Sequence, residues 1–182
     1  ALRAGADAVT AMIEQLAGGG AAAKAGWSSA LHYFDYNLDH FEVINHVCGY
    51  TVGDDYLRSV GDLVRSKTDE KGVLGRLGAN EFLIVWPNSD TDRGFLTADA
   101  LRQEIGGLKV MCKGRRIGVS ASLGLLPFTS PKVDTQSLLS NASRACAQAK
   151  KDGRNRTHVC GINDNETRIL TPIDLVPLID QA

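Results

Sequence analysis

The spacing of apolar residues predicts several amphipathic helices along the chain. Steps of three and four between apolar positions put side chains on one helical face. This pattern occurs at residues 2–16, 52–64, 95–105 and 138–149. Gly106-Gly107 should end the third helix, and Gly153 should cap the last in a left-handed conformation. The first stretch is too short to decide between core packing and dimerisation.

Short apolar runs bounded by turn residues predict the strands. We place strands at residues 31–36, 73–77, 82–86, 117–124 and 156–160, and a short helix at about 39–46. A tight turn at 78–81 joins the second and third strands, and Pro87 closes the third. The order β-α-α-β-β-α-β-α-β predicts an α/β (α+β) fold with a mixed five-stranded central sheet covered by helices.

Composition narrows the class of function. The 182 residues are 43% hydrophobic, which suits one domain with a substantial core. A formal net charge of −1 argues against nucleic acid as the main partner. No apolar run approaches the ~18 residues of a membrane span, and no signal peptide opens the chain, so we expect a cytoplasmic protein.

The four cysteines are widely spaced and form no C-x-x-C pair. They are Cys48, Cys112, Cys146 and Cys160. We interpret all four as small apolar core residues in a reducing compartment.

Three segments meet at one end of the predicted sheet and carry a family resemblance. They read NLDHFEVIN at 37–45, followed by Gly49 and by Gly53-Asp54, then RLGANEF at 76–82 and AKKDGRNR at 149–156. In order and spacing they resemble the D-x-D-x-F-K-x-I-N, R-x-G-G-D-E-F and A-K-x-x-G-R-N-R motifs of the GGDEF family of diguanylate cyclases. The resemblance covers residues 7–160, and DAVT at 7–10 is a weak match to the family's entry motif D-x-L-T. It implies that the predicted α/β (α+β) fold is nucleotidyl-cyclase-like.

The resemblance implies a metal site that this chain has altered. Family members bind GTP with two divalent ions and face each other as dimers, so that each 3′-hydroxyl attacks the partner's α-phosphate. The metal ligands are the first Asp of D-x-D and the third letter of the signature turn, which here are Asn37 and Asn80. An amide carries no charge to offset a cation. Glu81 keeps a carboxylate as a candidate weak ligand. We therefore expect no functional catalytic residue in the signature Gly78, Ala79, Asn80, Glu81 and Phe82, and only weak binding of any Mg²⁺ that accompanies GTP.

Two further departures oppose nucleotide binding. Ala79 replaces a glycine that lets the family's backbone approach the nucleotide. Glu42 stands where family members often carry a phosphate-side Lys, and its charge would repel a triphosphate.

The resemblance implies that other nucleotide-binding residues are retained. Asn45 and Asp54 match positions that read guanine, and Lys150 and Arg154, four apart on one helical face, match a phosphate-binding pair. Alternatively, Asp54 is a helix-start carboxylate, Asn45 a helix-end residue, and the cations an ordinary feature of a helix C-terminus.

The family's inhibitory site for cyclic-di-GMP, R-x-x-D, would fall at Asp69 and Gly72, so we expect it to be absent.

The expected organisation is an N-terminal helix and entry segment at 1–26, a degenerate GGDEF domain at 27–160, and a linker with the start of a helix at 161–182. In that tail Asp174 is a candidate N-cap and Pro177 lies in the first turn. The tail looks like the connector to a following EAL phosphodiesterase domain, and we expect the chain to come from a longer protein.

The resulting hypothesis is a catalytically inactive regulatory domain in cyclic-di-GMP signalling, with GTP, a homodimer partner and an EAL-type domain as candidate partners. One alternative is a ligand-free dimerisation or interaction scaffold. Another is a weakly active cyclase that holds its ions with Glu81, Asp39 and backbone carbonyls.

Overall fold

A computed structural model describes residue 11 and residues 31–67, 73–76, 78–87, 91–128, 135–160 and 167–168. Within these ranges the helices are α1 (Phe41–Cys48), α2 (Tyr50–Lys67), α3 (Thr91–Gly107) and α4 (Thr135–Lys151). The strands are β1 (Leu31–Leu38), β2 (Val73–Arg76), β3 (Glu81–Pro87), β4 (Val110–Cys112), β5 (Arg115–Ile117), β6 (Ala121–Phe128), β7 (Thr157–Cys160) and β8 (Thr167–Arg168).

The main sheet is mixed, with the strand order β2-β3-β1-β6-β7-β8. Strand β1 lies at its centre and pairs antiparallel with both β3 and β6, whereas β6 and β7 run parallel. The first five of these strands confirm the predicted sheet, and β8 adds two residues at one edge.

Alternation along the strands assigns the helices to the two faces of the sheet. Phe82, Ile84, Leu123 and Leu125 belong to one buried cluster with apolar residues of α1, α2 and α3. Gly124 lies on the opposite face, against α4.

The contact at Gly124 requires a glycine. A Cβ atom there would overlap the carbonyl oxygen of Ala142 and lie 2.6 Å from the backbone nitrogen of Cys146, both on α4. The missing side chain therefore lets α4 approach β6 at backbone distance.

The hairpin of β4 and β5 corrects the predicted strand at 117–124. Lys113 and Gly114 have φ angles of 49° and 77°, which suits a two-residue hairpin turn. Ile117 pairs with Val110 in this hairpin, and β6 begins only at Ala121. The alternating apolar pattern at residues 117–124 covers the end of β5, the connection after it and the start of β6.

The cysteine prediction is half wrong. Cys48, at the end of α1, and Cys112, on β4, form a disulfide, with Cα atoms 5.5 Å apart. They lie 64 positions apart in the chain, so their spacing could not reveal the pairing. Cys146 and Cys160 are buried, as predicted.

Several predictions fall outside the described residues: the helix at 2–16, the DAVT segment, Asp69 with Gly72, and the tail around Asp174 and Pro177. The three-part domain division remains a prediction. In the part of the chain that the structure describes, no helix has the length and apolar character needed to cross a bilayer.

Replacing Gly124 by Ala should destabilise the protein. Because the new methyl group meets backbone atoms that cannot rotate away, α4 must shift, and we expect unfolding to cost about 1–3 kcal/mol less. Gly61→Ala in α2 is the matched control. No atom lies within 4 Å of its added Cβ, so it should stabilise the helix by roughly 0.5–1 kcal/mol. Denaturant unfolding of both variants measures the difference, and equal effects would contradict the close approach at Gly124.

Reducing the disulfide should also lower the free energy of unfolding. A link across 64 positions restricts the unfolded chain, and its removal should cost roughly 4 kcal/mol. Denaturant unfolding with and without reductant measures this. The double variant Cys48→Ser/Cys112→Ser should be insensitive to reductant, and a wild-type protein equally insensitive would rule the disulfide out.

Candidate functional site

A polar cleft of about 150 Å³ lies where β1 ends at the central position of the sheet. The turn between β2 and β3 and the C-terminal end of α4 form its other walls. The cleft is lined by Asn37, Leu38, Asp39, His40, Glu42, Asn80, Lys150 and Arg154. It thus brings together parts of all three motif segments.

The two amides at the altered metal positions bond to each other. The side-chain nitrogen of Asn80 donates to Oδ1 of Asn37 at 3.2 Å and to the carbonyl of Leu38 at 3.0 Å. The backbone nitrogen of Leu38 donates in return to the carbonyl of Asn80 at 3.0 Å. Both hydrogens of the Asn80 amide are therefore used within the protein.

Asp39 is a buried anchor, only 3% exposed. Its carboxylate accepts hydrogen bonds from the Ser120 hydroxyl at 2.7 Å, the Ser122 hydroxyl at 2.8 Å and the backbone nitrogen of Asn155 at 3.2 Å. This carboxylate joins the end of β1 to β6 and to the loop after α4.

These residues do not fit the magnesium site that the family resemblance implies. Mg²⁺ requires anionic oxygen ligands in near-octahedral geometry. Asn37 and Asn80 are neutral and mutually bonded, and three donors already occupy Asp39. Within the described ranges, no group of three His, Cys, Asp or Glu side chains is placed to hold a metal ion.

Arg76 holds the signature turn. Its guanidinium donates to the carbonyl of Gly78 at 2.8 Å and to that of Ala79 at 2.6 Å. Ala79 is not among the residues with positive φ, so its methyl group brings no backbone strain. The sequence motif contains Arg76, but no property of the sequence indicated this role.

The structure does not bring Glu81 into the cleft lining. A Cβ atom at Gly78 would lie 3.5 Å from Oε2 of Glu81, so this carboxylate lies over the turn instead. Glu81 pairs with Asn37 across the neighbouring strands, but of the two only Asn37 lines the cleft.

Lys150 and Arg154 both line the cleft, but they do not share a helical face as predicted. Helix α4 ends at Lys151, one residue after Lys150. The chain then turns at Gly153, Arg154 and Asn155, whose φ angles are 110°, 61° and 50°. The left-handed cap at Gly153 is confirmed, and the turn directs Arg154 back to the same cleft.

A buried ion pair supports this loop from α3. Arg102 donates to Oδ1 of Asn155 at 2.5 Å and to Asp99 at 2.7 Å, and Thr157 donates to Asp99 at 3.3 Å. Burial alone would raise the pKa of Asp99, but hydrogen bonds from Arg102, Gln103 and Thr157 and the charge of Arg102 outweigh it and lower the pKa. The sequence analysis did not predict this pair. Its only signal in the sequence is the spacing of three positions between Asp99 and Arg102.

The two residues predicted to read guanine, Asn45 and Asp54, lie outside this cleft. Asn45 lines an adjoining open depression of about 660 Å³, together with Glu42, Val43, His46 and Tyr50. A Cβ atom at Gly53 would overlap Oδ1 of Asn45, so this amide rests directly against α2.

Asp54 lies in neither of these two cavity linings and is exposed on α2. The first turn of α2 contains no acidic residue, so the alternative of a helix-start carboxylate does not fit this position.

Glu42 contributes to both the cleft and the depression. Its side chain is 74% exposed, and its carboxylate lies 3.6 Å from Nδ1 of His40. An anion thus faces the same space as Lys150 and Arg154.

Comparison with known proteins identifies the family. The profile of the family "Diguanylate cyclase, GGDEF domain" matches residues 20–156, more than half of the chain. The chain therefore belongs to the GGDEF family, as its motifs predicted.

Individual relatives agree with this assignment. Diguanylate cyclase A of Treponema denticola is 27% identical over 120 residues, which are 66% of this chain and 32% of that protein. The cyclic di-GMP phosphodiesterase PdeB of Shewanella oneidensis is 33% identical over 143 residues, 76% of this chain and 16% of that protein. The chain thus spans a third or less of these relatives.

A solved structure confirms the fold. The GGDEF domain of DgcB from Caulobacter crescentus, crystallised with c-di-GMP, superimposes with a TM-score of 0.73 at 21% identity. The match covers 87% of this chain and 88% of that one.

A buried histidine lies on strand β7. His158 on β7 is fully buried, and neither ring nitrogen has a hydrogen-bond partner among the described residues. Its Nε2 lies 3.4 Å from the carboxylate of Asp152, just after α4. Burial lowers the pKa of His158, and the nearby charge of Asp152 only partly opposes this shift.

Stability should therefore fall as the pH falls past the ordinary histidine pKa of about 6.5. Because the unfolded state binds the proton more readily, His158 contributes fully above that pKa and progressively less below it, with a slope of at most about 1.4 kcal/mol per pH unit. Denaturant unfolding from pH 7.5 to 5 measures the slope. His158→Phe should flatten it while His46→Phe, an exposed control, leaves it unchanged, and a slope that survives in His158→Phe would refute this assignment.

Proposed function

We propose that this chain is a non-catalytic, regulatory GGDEF domain in cyclic-di-GMP signalling. The observation that carries the proposal is the hydrogen bond between Asn37 and Asn80 at the two metal-ligand positions. In the family these positions hold the ions that bring two GTP molecules into reaction.

The loss is electrostatic. Two negative charges are missing from one site, and removing a single preorganised electrostatic stabiliser commonly lowers a rate by about 10²–10³. The Asn80 amide also donates to Asn37 and to the Leu38 carbonyl, so a neutral contact joins the two positions where the family holds a cation.

The groups expected to contact a nucleotide are better preserved than the metal ligands. Lys150 and Arg154 reach one cleft, and Asn45 lines the depression beside it. We infer that GTP binding at these groups, rather than cyclic-di-GMP synthesis, regulates an adjacent effector.

An EAL-type neighbour and a homodimer partner are the proposed recipients of this regulation. The match to a cyclic di-GMP phosphodiesterase over 76% of this chain supports a neighbouring domain of that kind. The division at residues 26/27 and 160/161 is proposed from the sequence pattern.

One observation favours a ligand-free interaction scaffold as the second candidate. Glu42 places an exposed carboxylate beside the cations that would contact phosphate, and this charge weakens nucleotide binding.

A weakly active cyclase has less support. Its candidate ligands were Asp39 and Glu81, and three hydrogen bonds already engage Asp39, while Glu81 lies over the turn.

Incubation of the purified chain with GTP and either Mg²⁺ or Mn²⁺ tests the proposal, with product measured by mass spectrometry. We expect cyclic-di-GMP formation at least about 10³-fold slower than by an intact GGDEF domain assayed in parallel. The double variant Asn37→Asp/Asn80→Asp should raise the rate, since it returns both charges. Adding Glu42→Lys and Ala79→Gly should raise it further. Turnover by the wild-type chain at the rate of the intact domain would refute the proposal.

A further inference from the structure

We propose that the cleft binds the phosphate of a nucleotide without a metal ion and prefers a mono- or diphosphate to a triphosphate. This inference rests on the proposed function, in that it takes the cleft for a nucleotide site, but it replaces GTP by GMP or GDP as the preferred ligand of that site. It departs from the metal-dependent triphosphate binding that the family resemblance implies.

The first argument concerns the lone pairs and hydrogens at the former metal positions. Both amide hydrogens of Asn80 are donated, to Asn37 and to the Leu38 carbonyl. The Oδ1 atom of Asn37 already accepts one of these hydrogen bonds. The acceptor sites that remain, the second lone pair of this atom and Oδ1 of Asn80, carry no formal charge, and Mg²⁺ gives up its water shell reluctantly even to charged ligands.

The second argument concerns the countercharge available to a phosphate. Lys150 and Arg154 provide two positive charges, and Glu42 provides one exposed negative charge. The buried carboxylate of Asp39 accepts three hydrogen bonds from neutral donors, which stabilise its charge but do not cancel it. Two cations therefore stand against two carboxylates in the lining, and the cleft has no excess positive charge for a long phosphate chain. A phosphate monoester with roughly two negative charges suits this balance best, because each further phosphate adds charge that no lining residue offsets.

The third argument is preorganisation. The loop that carries Arg154 is held on one side by the bond from Asn155 to Asp39 and on the other by the bond from Arg102 to Asn155. The ion pair of Arg102 with Asp99 is itself largely buried. Because the backbone at Arg154 is fixed before binding, less ordering entropy opposes capture of an anion.

Titration calorimetry of the whole chain with GMP, GDP and GTP tests the inference, each nucleotide being titrated once in EDTA and once in excess Mg²⁺. We expect GMP and GDP to bind in EDTA, with affinities that change less than about twofold on adding Mg²⁺. GTP should bind several-fold more weakly than GDP in EDTA, and Mg²⁺ should not reverse that order.

Three variants test where the nucleotide binds and whether the two amides make that binding independent of a metal ion. Lys150→Ala should weaken GDP binding by about tenfold, as expected for a charge-assisted hydrogen bond. The neighbouring Lys151→Ala, exposed and outside the cleft lining, is the matched control and should have no effect. Asn37→Asp/Asn80→Asp should weaken binding in EDTA and make it Mg²⁺-dependent. Thermal unfolding of each variant establishes that it is folded.

The outcomes separate the two proposals. Binding of GTP that is abolished by EDTA would overturn metal independence and leave the regulatory nucleotide site standing. Failure of all three nucleotides to bind at millimolar concentration, with and without Mg²⁺, would overturn both and favour the ligand-free scaffold. An equal loss of affinity in Lys150→Ala and Lys151→Ala would place the binding elsewhere and overturn the inference.

Discussion

The carboxylate of Asp39 is the interaction on which the arrangement of the cleft depends. It is buried, and it gathers two hydroxyl groups of the β6 region and one backbone amide of the loop after α4. A buried carboxylate is tolerated only when it is well hydrogen-bonded. The requirement to satisfy this one anion therefore fixes the end of β1 relative to elements more than eighty positions away in the chain.

Next to Asp39, the two positions that carry metal-binding carboxylates in the family carry neutral amides in this chain. Two carboxylates at these positions would repel each other, whereas the amide of Asn80 donates a hydrogen bond to Asn37. Hydrogen bonds within the protein therefore join the end of β1 to the signature turn. The cationic residues of the family motif are retained, since Lys150 and Arg154 both line the cleft. This arrangement supports the proposed non-catalytic role.

The sequence predicted the fold well, because strand and helix periodicities in this chain are clear and the motifs supplied their order. Its errors have local physical causes. The β4–β5 hairpin depends on a turn at Lys113-Gly114, and the disulfide depends on a contact between distant segments that no spacing reveals. At the site, the motifs predicted that Asn37, Asn80, Lys150 and Arg154 come together. They did not predict that Glu81, Asn45 and Asp54 lie outside this cleft. The hydrogen-bond partners at the site could not be predicted, because the bonds of Asp39, Arg76 and Arg102 exist only in the folded structure.

The glycine at position 124 has a consequence that reaches the cleft. It sets the distance between α4 and the sheet, since backbone atoms of the helix rest directly on it. Lys150 belongs to the last turn of that same helix. The position of the Lys150 ammonium group relative to the cleft therefore depends on the absence of a methyl group at position 124 of β6. A chain with a bulkier residue at this position would keep the same motif, but its cation would not reach the cleft.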